Sequence, residues 1–312
     1  MGRQGWASPG HDMNAAQQLL LDIQGADGGW PARSGGPSAT ETTALAALAL
    51  RSDDQTALHG RERALKWLRT TQRSDGSWPP VAGISLSGWM TSVAVIALAD
   101  SRTDRQRALA GGRWLLAQEG RGYSWLTRLI FRLFPSREVI DLDADLTGWP
   151  WFHDTFSWVE PTACALIALK TLRTDLPPEP TAARIREAEW MILDRSCVGG
   201  GWNYGNSRVY DEELWPYPDT TALALIALQD RPELPEVSAG LSALTRMLDE
   251  NHSVLATSLG LLCFRPFGRD DFGLRERLLS RLNEGPEWAD TRALTLAALA
   301  LDPRKAFGFV HA

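Results

Sequence analysis

The chain alternates between apolar and amphipathic segments at regular intervals. Six segments rich in Ala and Leu are apolar on nearly every face, which predicts helices that are buried on all sides. They begin at Glu41, Met90, Glu160, Asp219, Leu255 and Asp290. The stretches before them are more polar, and 60–72, 107–118 and 183–194 have their apolar residues spaced for one helix face. The pattern predicts hairpins, each made of a polar outer helix and a buried inner helix.

Glycine-rich turns that end in tryptophan separate the two kinds of helix. Such turns end at Trp30, Trp78, Trp125, Trp202 and Trp288. The first two intervals are 48 and 47 residues. The next two are 77 and 86 residues, which we interpret as one period with an insertion and as two shortened periods. A recurring interval of this size indicates a repeat architecture.

The end repeats indicate how the hairpins are arranged. An open solenoid needs polar faces on its end repeats, but the first inner segment, 44–50, and the last, 293–301, are as apolar as the others. They are most simply buried against each other. The predicted fold class is therefore all-α, a closed α6/α6 toroid. We predict one domain over 1–312, with repeats at about 14–50, 63–99, 107–170 (insertion at 120–158), 183–228, 238–264 and 275–301.

Composition and charge exclude several classes of protein. The chain has 32 basic and 38 acidic residues, a net charge of −6, which argues against a nucleic-acid-binding protein. Three scattered cysteines without a CxxC motif exclude a disulfide framework. The first residues lack the apolar core of a signal peptide, and no run of 18 apolar residues occurs. We expect a cytoplasmic protein without a cofactor, and the oligomeric state stays open.

The segment 125–137 could touch a membrane. Its apolar residues form one helical stripe, and Arg128 and Arg132 share another face. This pattern is typical of a peripheral membrane contact or an entrance for a lipid. A lid helix that packs on the toroid is the alternative.

Acidic residues recur at the first position of the inner segments. Four of the six segments begin with one: Glu41, Glu160, Asp219 and Asp290. All inner helices of a toroid point the same way, so we expect these carboxylates to gather at one mouth of the central cavity. Close carboxylates raise one another's pKa, which can create a proton donor. The alternative is that each one caps the free N–H groups of its helix.

Two further sets of residues are candidates for the same site. Asp143 and Asp145 belong to a run of acids at alternate positions, 141–145. Aromatic side chains can stabilise a carbocation, and they also bind sugars and isoprenoid chains; ordinary core packing is the alternative. The candidate substrate-binding aromatics are Trp149, Trp151, Phe152, Trp158, Trp202, Trp215 and Tyr217.

The segment 63–78, RALKWLRTTQRSDGSW, resembles the QW repeat of squalene and oxidosqualene cyclases. It has the basic, small and aromatic residues, the Leu, the Gln and the Gly-x-Trp of that repeat. The segment 148–169 is similar to bacterial cyclase-like proteins. Taken as repeats, the resemblance covers nearly the whole chain. It implies membership of the terpenoid cyclase and protein prenyltransferase toroid superfamily, and an isoprenoid ligand in the cavity.

The sequence departs from two of the chemistries associated with such toroids. Class II cyclases take a proton from a DxDD motif at the start of an inner helix. The closest segment here, 216–222, keeps Asp219 but has Pro218 where the acid is expected. The corresponding helix starts lack the zinc ligands of prenyltransferases. Asp194, Cys197 and His252 form only a scattered trio, so we predict no metal.

Three functions stay open. The first is action on, or binding of, an isoprenoid, with a carboxylic acid as the proton donor in place of DxDD. The second is a non-catalytic toroid that binds a hydrophobic ligand or a protein partner. The third is a carbohydrate-active α6/α6 enzyme, which needs two carboxyl groups about 5–9.5 Å apart. An open aromatic groove favours a sugar, and a closed apolar pocket favours an isoprenoid.

Overall fold

The computed structural model describes residues 15–120, 122, 143, 145–210, 212–269, 271, 273–284, 290–303 and 307. In these ranges the inner helices are α2 (Thr40–Ala49), α4 (Met90–Ala99), α6 (Val159–Leu172), α8 (Pro218–Ala227), α10 (Val254–Phe264) and α12 (Thr291–Leu301). The outer helices are α1 (Ala15–Asp22), α3 (Gln55–Thr71), α5 (Arg105–Leu116), α7 (Pro178–Asp194), α9 (Pro235–Glu250) and α11 (Leu274–Asn283).

The remaining elements are short. A 3-10 turn (Arg265–Phe267) follows α10. Strands β1 (Trp30–Pro31) and β2 (Ser38–Ala39) form one antiparallel pair, and β3 (Arg208–Val209) and β4 (Glu212–Glu213) form another.

The inner helices form a closed ring. Each of them packs against the next inner helix along the chain, and α12 packs against α2. The outer helices surround this ring. The predicted all-α toroid of helical hairpins is therefore confirmed. The assignment of all 312 residues to one domain stays a prediction.

The interior of the ring is filled by the side chains of the inner helices. Small and branched apolar residues on every face allow each helix to pack against two inner neighbours and the outer layer. All residues of these helices are buried except Glu41, Thr171, Pro218, Asp219, Leu255 and Arg292. Five of these six lie within the first two residues of a helix. We call the end of the ring at which the inner helices begin the mouth.

Four buried tryptophans build the same turn between an outer and an inner helix. In each turn the indole N–H donates to a carbonyl of the preceding outer helix, at 2.6–3.1 Å. The backbone N–H donates to a threonine hydroxyl of the following inner helix, at 2.9–3.1 Å. The tryptophans are Trp30, Trp78, Trp149 and Trp202.

The third of these turns corrects the sequence analysis. The glycine-tryptophan pattern predicts this turn at Trp125, which lies outside the described residues. Trp149 makes the two hydrogen bonds that define the turn, to Leu115 and Thr162. The long insertion therefore precedes the tryptophan turn instead of following it. The sequence pattern misled because the segment 122–125, Gly-Tyr-Ser-Trp, also runs from a glycine to a tryptophan.

The QW-like segment links neighbouring outer helices. The side-chain amide of Gln72 donates to the carbonyls of Gly76 and Arg107, both at 3.0 Å. Gly76 has a φ of 91°, and a Cβ there would lie 2.6 Å from the carbonyl oxygen of Ala110 on α5. Glycine is required because the turn combines a left-handed backbone with this close approach.

In the described part of the chain, no helix combines the length and the apolar character that crossing a membrane requires. The segment 125–137, predicted to be a lid helix or a membrane contact, lies outside the described residues.

Candidate functional site

Three carboxylates and one guanidinium lie in the first turn of four inner helices. Glu41, Glu160 and Asp219 are the second residues of α2, α6 and α8. In α12 the second residue is Arg292, because Asp290 lies before the helix as its N-cap. Since all four helices begin at the mouth, these side chains meet there.

Arg292 binds two of these carboxylates. Its Nη2 donates to Oε1 of Glu160, and its Nε lies 3.0 Å from Oε1 of Glu41. Helix α2 is next to α12 in the ring, whereas α6 is opposite to it. The side chain of Glu160 is only 3% exposed, while those of Arg292 and Glu41 are each 24% exposed. Arg292 therefore spans the mouth, and Glu41 stays accessible from solvent.

The electrostatics of the cluster separate the roles of its members. Burial raises the pKa of Glu41; Arg292 acts against this increase, and the charges of Glu160 and Asp290 add to it. Burial lowers the pKa of Arg292, but Glu41 and Glu160 outweigh it, so the pKa is raised above its ordinary value. Arg292 stays charged, and Glu41 retains its proton more readily than an ordinary glutamate. Such a carboxyl group is suited to general-acid chemistry.

Asp219 lies beside a pair of tyrosines. The hydroxyl of Tyr204 donates to Oδ2 of Asp219 at 3.3 Å, and burial together with the charge of Asp219 raises the pKa of Tyr204 to about 12. The rings of Tyr204 and Tyr217 have centroids 5.2 Å apart. The carbonyl of Tyr204 accepts the N–H of Val159 at 2.9 Å, which fixes this loop at the start of α6. Sequence analysis missed Tyr204; its position two residues after the turn tryptophan Trp202 was the available signal.

Exposed aromatic side chains lie next to Asp219, in the segments that lead into α6 and α8. Trp158 and Tyr217 are the N-cap residues of α6 and α8. The indole of Trp158 packs over Gly205, where a Cβ would lie 3.0 Å from the ring. Trp215 is 83% exposed. We call Trp158, Tyr204, Trp215 and Tyr217 the aromatic rim.

Other predicted aromatics lie elsewhere. Trp149 and Trp202 are buried between helices as turn residues, and the guanidinium of Arg184 covers Trp149 at 4.1 Å from the ring centroid. Trp151 contacts Trp89 edge to face, with centroids 5.0 Å apart. Phe152 is exposed on the same loop as Trp151. The structure therefore does not bring Trp149 or Trp202 to the open surface of the mouth, and the role of each in binding stays a prediction.

The remaining predicted acids make hydrogen bonds of other kinds in the described structure. Asp290 caps α12, because its carboxylate accepts the N–H of Ala293 at 2.7 Å. The N–H of Asp143 donates to the carboxylate of Asp194 at the end of α7, at 3.1 Å to Oδ2, and its own Oδ1 accepts the N–H of Asp145 at 2.9 Å. Helix capping thus accounts for Asp290. The catalytic roles of all the candidate acids stay predictions.

The described ranges do not bring together a set of metal ligands. No group of three His, Cys, Asp or Glu side chains there is placed to hold a metal ion. Cys164, Cys197 and Cys263 are buried and free, and burial raises the pKa of each thiol.

Sequence analysis missed Arg292, although the repeats contained a signal. Counted from the segment starts given above, the third position is threonine in four segments: Thr43, Thr162, Thr221 and Thr257. In the second segment, which begins at Met90, the turn threonine Thr91 comes one residue earlier. The sixth segment has Arg292 at the third position. A long cationic side chain at a position that is otherwise mostly threonine indicates that Arg292 has a role other than accepting the turn hydrogen bond.

Comparison with known proteins supports the fold. The sequence matches no protein-family profile and no curated protein. An α-amylase from Clostridium perfringens has a similar structure, with a TM-score of 0.62 at 11% identity over 93% of this chain and 98% of that one. A protein from Actinoplanes has a TM-score of 0.57 at 17% identity, over 92% and 96% of the two chains.

A third similar structure contains a bound sugar. It is an inactive variant of an α-1,6-mannanase from Salegentibacter in complex with α-1,6-mannotriose, with a TM-score of 0.56 at 13% identity over 92% of this chain and 97% of that one. At these identities the similarity shows the fold alone, an α/α toroid. The squalene-cyclase relationship that the QW-like segment implies stays a prediction.

Proposed function

We propose that this protein is a carbohydrate-active enzyme that holds a sugar chain at the mouth of the toroid. The observation that carries the proposal is the meeting of carboxylates and exposed aromatic rings at one open end of a filled ring. Aromatic faces pack on the apolar faces of sugar rings, and carboxylates bind hydroxyl groups and act as acid or base. The α-amylase and the α-1,6-mannanase with similar structures are consistent with this, although a shared fold does not establish a shared function.

The filled interior favours a ligand at the mouth over an isoprenoid inside the ring. Apart from the six residues named above, every residue of the inner helices is buried. A cavity that could hold an isoprenoid chain would leave accessible surface on the side chains around it. Isoprenoid binding, predicted from the QW-like segment, is therefore the alternative that the experiment below includes.

We assign the two carboxyl roles of glycoside hydrolysis to Glu41 and Asp219. One carboxylic acid donates a proton to the glycosidic oxygen as the C–O bond breaks, and a second carboxylate activates water or attacks the anomeric carbon. Glu41 combines a raised pKa with access from solvent, which fits the acid. Asp219, held by Tyr204, fits the second role. Glu160 and Arg292 act as positioning residues for Glu41.

The test measures hydrolysis and binding separately. Purified protein is incubated with a panel of neutral oligosaccharides that includes α-1,6-mannotriose and maltotriose, and new reducing ends and heats of binding are recorded. Squalene, farnesyl diphosphate and geranylgeranyl diphosphate are tested in parallel by mass spectrometry. We expect Glu41→Gln and Asp219→Asn to lower the hydrolysis rate by about 100-fold or more while binding persists.

Glu179→Gln is the matched control. Glu179 is an exposed carboxylate in the first turn of α7, at the end of that helix away from the mouth. We expect this variant to keep the full rate. A bound or cyclised isoprenoid without carbohydrate binding would overturn the proposal. Binding of a carbohydrate without any hydrolysis would leave a sugar-binding protein and remove the catalytic roles of Glu41 and Asp219.

A further inference from the structure

A second concavity lies beside the mouth, between the start of α4 and the end of α5. It encloses about 240 Å³, and its lining includes Arg73, Asp75, Trp89, Trp114, Gln118 and Trp149. We call it the rim pocket. The cluster of Glu41, Glu160 and Arg292 is not part of its lining, so the proposed hydrolysis does not use it.

Two indole rings provide accessible apolar walls for the rim pocket. Trp89 is the N-cap residue of α4 and Trp114 lies on α5, and both are half-buried. Trp151 and Trp89 pack edge to face, with an interplanar angle of 86°, and this contact restricts the motion of the Trp89 ring. Rigid aromatic walls offer a large contact area to a ligand at a low cost in conformational entropy.

The charged groups of the rim pocket balance each other. Arg73 and Asp75 belong to the same turn. The carboxylate of Asp75 accepts the backbone N–H of Ser77 at 3.0 Å and its hydroxyl at 2.6 Å. Burial raises the pKa of Asp75, but these bonds and the charge of Arg73 outweigh it, so the pKa lies below its ordinary value. Asp75 is therefore an anion that offsets the cation, and His153 stands at the edge, 69% exposed.

The size and polarity of the rim pocket indicate the class of its ligand. Its volume is below the roughly 300–1,000 Å³ of sites for drug-sized molecules, which suits a single ring. Balanced charges suit an uncharged ligand, because a charged one would leave Arg73 or Asp75 opposed to it. The amide of Gln118 and the carboxylate of Asp75 can bind hydroxyl groups, while the indoles cover an apolar face. A sugar ring has these properties together.

We propose that the rim pocket binds one uncharged, hydroxylated ring of the carbohydrate whose remaining rings lie at the mouth. This inference rests on the proposed function. Trp89 lies between the two sites, since it lines the rim pocket and directly precedes inner helix α4. The rim pocket thus selects chains long enough to reach from the catalytic carboxylates to α5.

Substitution of one wall tests the inference. Trp114→Ala removes an indole from the rim pocket, and Trp190→Ala removes an indole that is 58% exposed on outer helix α7 and is not in the pocket lining. Affinity for the tightest-binding trisaccharide of the panel is measured by calorimetry. We expect Trp114→Ala to weaken it by about tenfold and Trp190→Ala to leave it unchanged. Circular dichroism checks that both variants fold.

A gentler variant covers the case in which Trp114→Ala does not fold. Gln118→Ala removes a neutral amide from the rim pocket and is expected to weaken binding of the same trisaccharide severalfold. Equal affinities for the native protein, Trp114→Ala and Gln118→Ala would overturn the rim-pocket inference and leave the proposed function intact. If the native protein binds no carbohydrate of the panel, both are overturned.

Discussion

Arg292 on α12 forms an ion pair with Glu160 on α6, the helix that lies opposite α12 in the ring. The same guanidinium contacts Glu41 on the neighbouring helix α2. One side chain thus holds two carboxylates that would otherwise repel each other in a partly desolvated place. This arrangement ties opposite walls of the mouth together and keeps Glu41 at a defined position.

Removal of the guanidinium should destabilise the protein. Arg292→Met leaves Glu160 buried without its cation, and a broken buried ion pair costs roughly 3–5 kcal/mol of unfolding free energy. Urea denaturation measures the change. The double variant Arg292→Met with Glu160→Gln should recover part of the loss, because it no longer buries an unpaired charge. Equal stability of Arg292→Met and the native protein would mean that the pair is not formed in solution.

The raised pKa of Glu41 predicts how stability depends on pH. A carboxyl group whose pKa is raised by folding contributes stability below its ordinary value of 4.5, and this contribution is lost as the pH rises through the folded value. Glu41→Gln cannot lose a proton. The unfolding free energy of this variant minus that of the native protein should therefore increase from pH 4 upward and then level off.

Denaturation series from pH 4 to pH 8 check this dependence. Glu179→Gln, with its exposed carboxyl group at the other end of the toroid, should show no comparable change with pH. A difference for Glu41→Gln that is constant across the series, or that falls with pH, would contradict the raised pKa.

The threonines of the tryptophan turns should contribute more to the free energy of unfolding than other buried threonines. Thr91→Val keeps the shape of the side chain but leaves the N–H of Trp78 without its acceptor, and an unpaired buried donor costs about 1–3 kcal/mol. Thr295 is the control, since its hydroxyl only donates to the Arg292 carbonyl within α12. Thr295→Val should cost clearly less in thermal or urea unfolding, and a reversed order would refute the role given to the turn.

A buried lysine far from the mouth should be essential for stability. The Nζ of Lys170 lies 2.7 Å from Oε1 of Glu189, pairs with Asp230 and donates to the carbonyl of Ala227 at 2.8 Å. Lys170→Met leaves two carboxylates without this cation, and we expect a loss of roughly 3–5 kcal/mol. The exposed Lys66→Met should change stability by less than about 0.5 kcal/mol. Comparable losses for the two variants would contradict the assignment.

The inner helices and the closed ring were predictable because the apolar composition of these segments indicates burial on all faces. Segments such as 44–50 contain only residues that are readily buried. The first and the last inner segments are equally apolar, which indicates that the ring is closed. The glycine-tryptophan pattern predicts the third turn at Trp125 instead of Trp149 because local pattern cannot tell which tryptophan donates the hydrogen bonds of a turn. That choice depends on the distance to Leu115 and Thr162, which only the folded chain defines.

The mouth was only partly accessible from sequence. The positions of Glu41, Glu160 and Asp219 followed from helix direction, but the guanidinium that pairs with Glu41 and Glu160 did not. Arg292 reaches Glu160 across the ring, and a contact between opposite helices leaves no periodic trace in the chain. The open aromatic rim likewise depends on the path of loops, which repeat spacing does not determine.

The closed ring also limits how this architecture can change through evolution. In an open array, a duplicated or deleted hairpin adds or removes one interface and leaves the others as they were. Here α12 packs on α2. The gain or loss of one hairpin would therefore alter the angle between every pair of neighbouring inner helices and separate Arg292 from Glu160. New material can be accommodated in the loops at the ends of the helices, as in the long segment before Trp149, while the number of hairpins stays fixed by geometry.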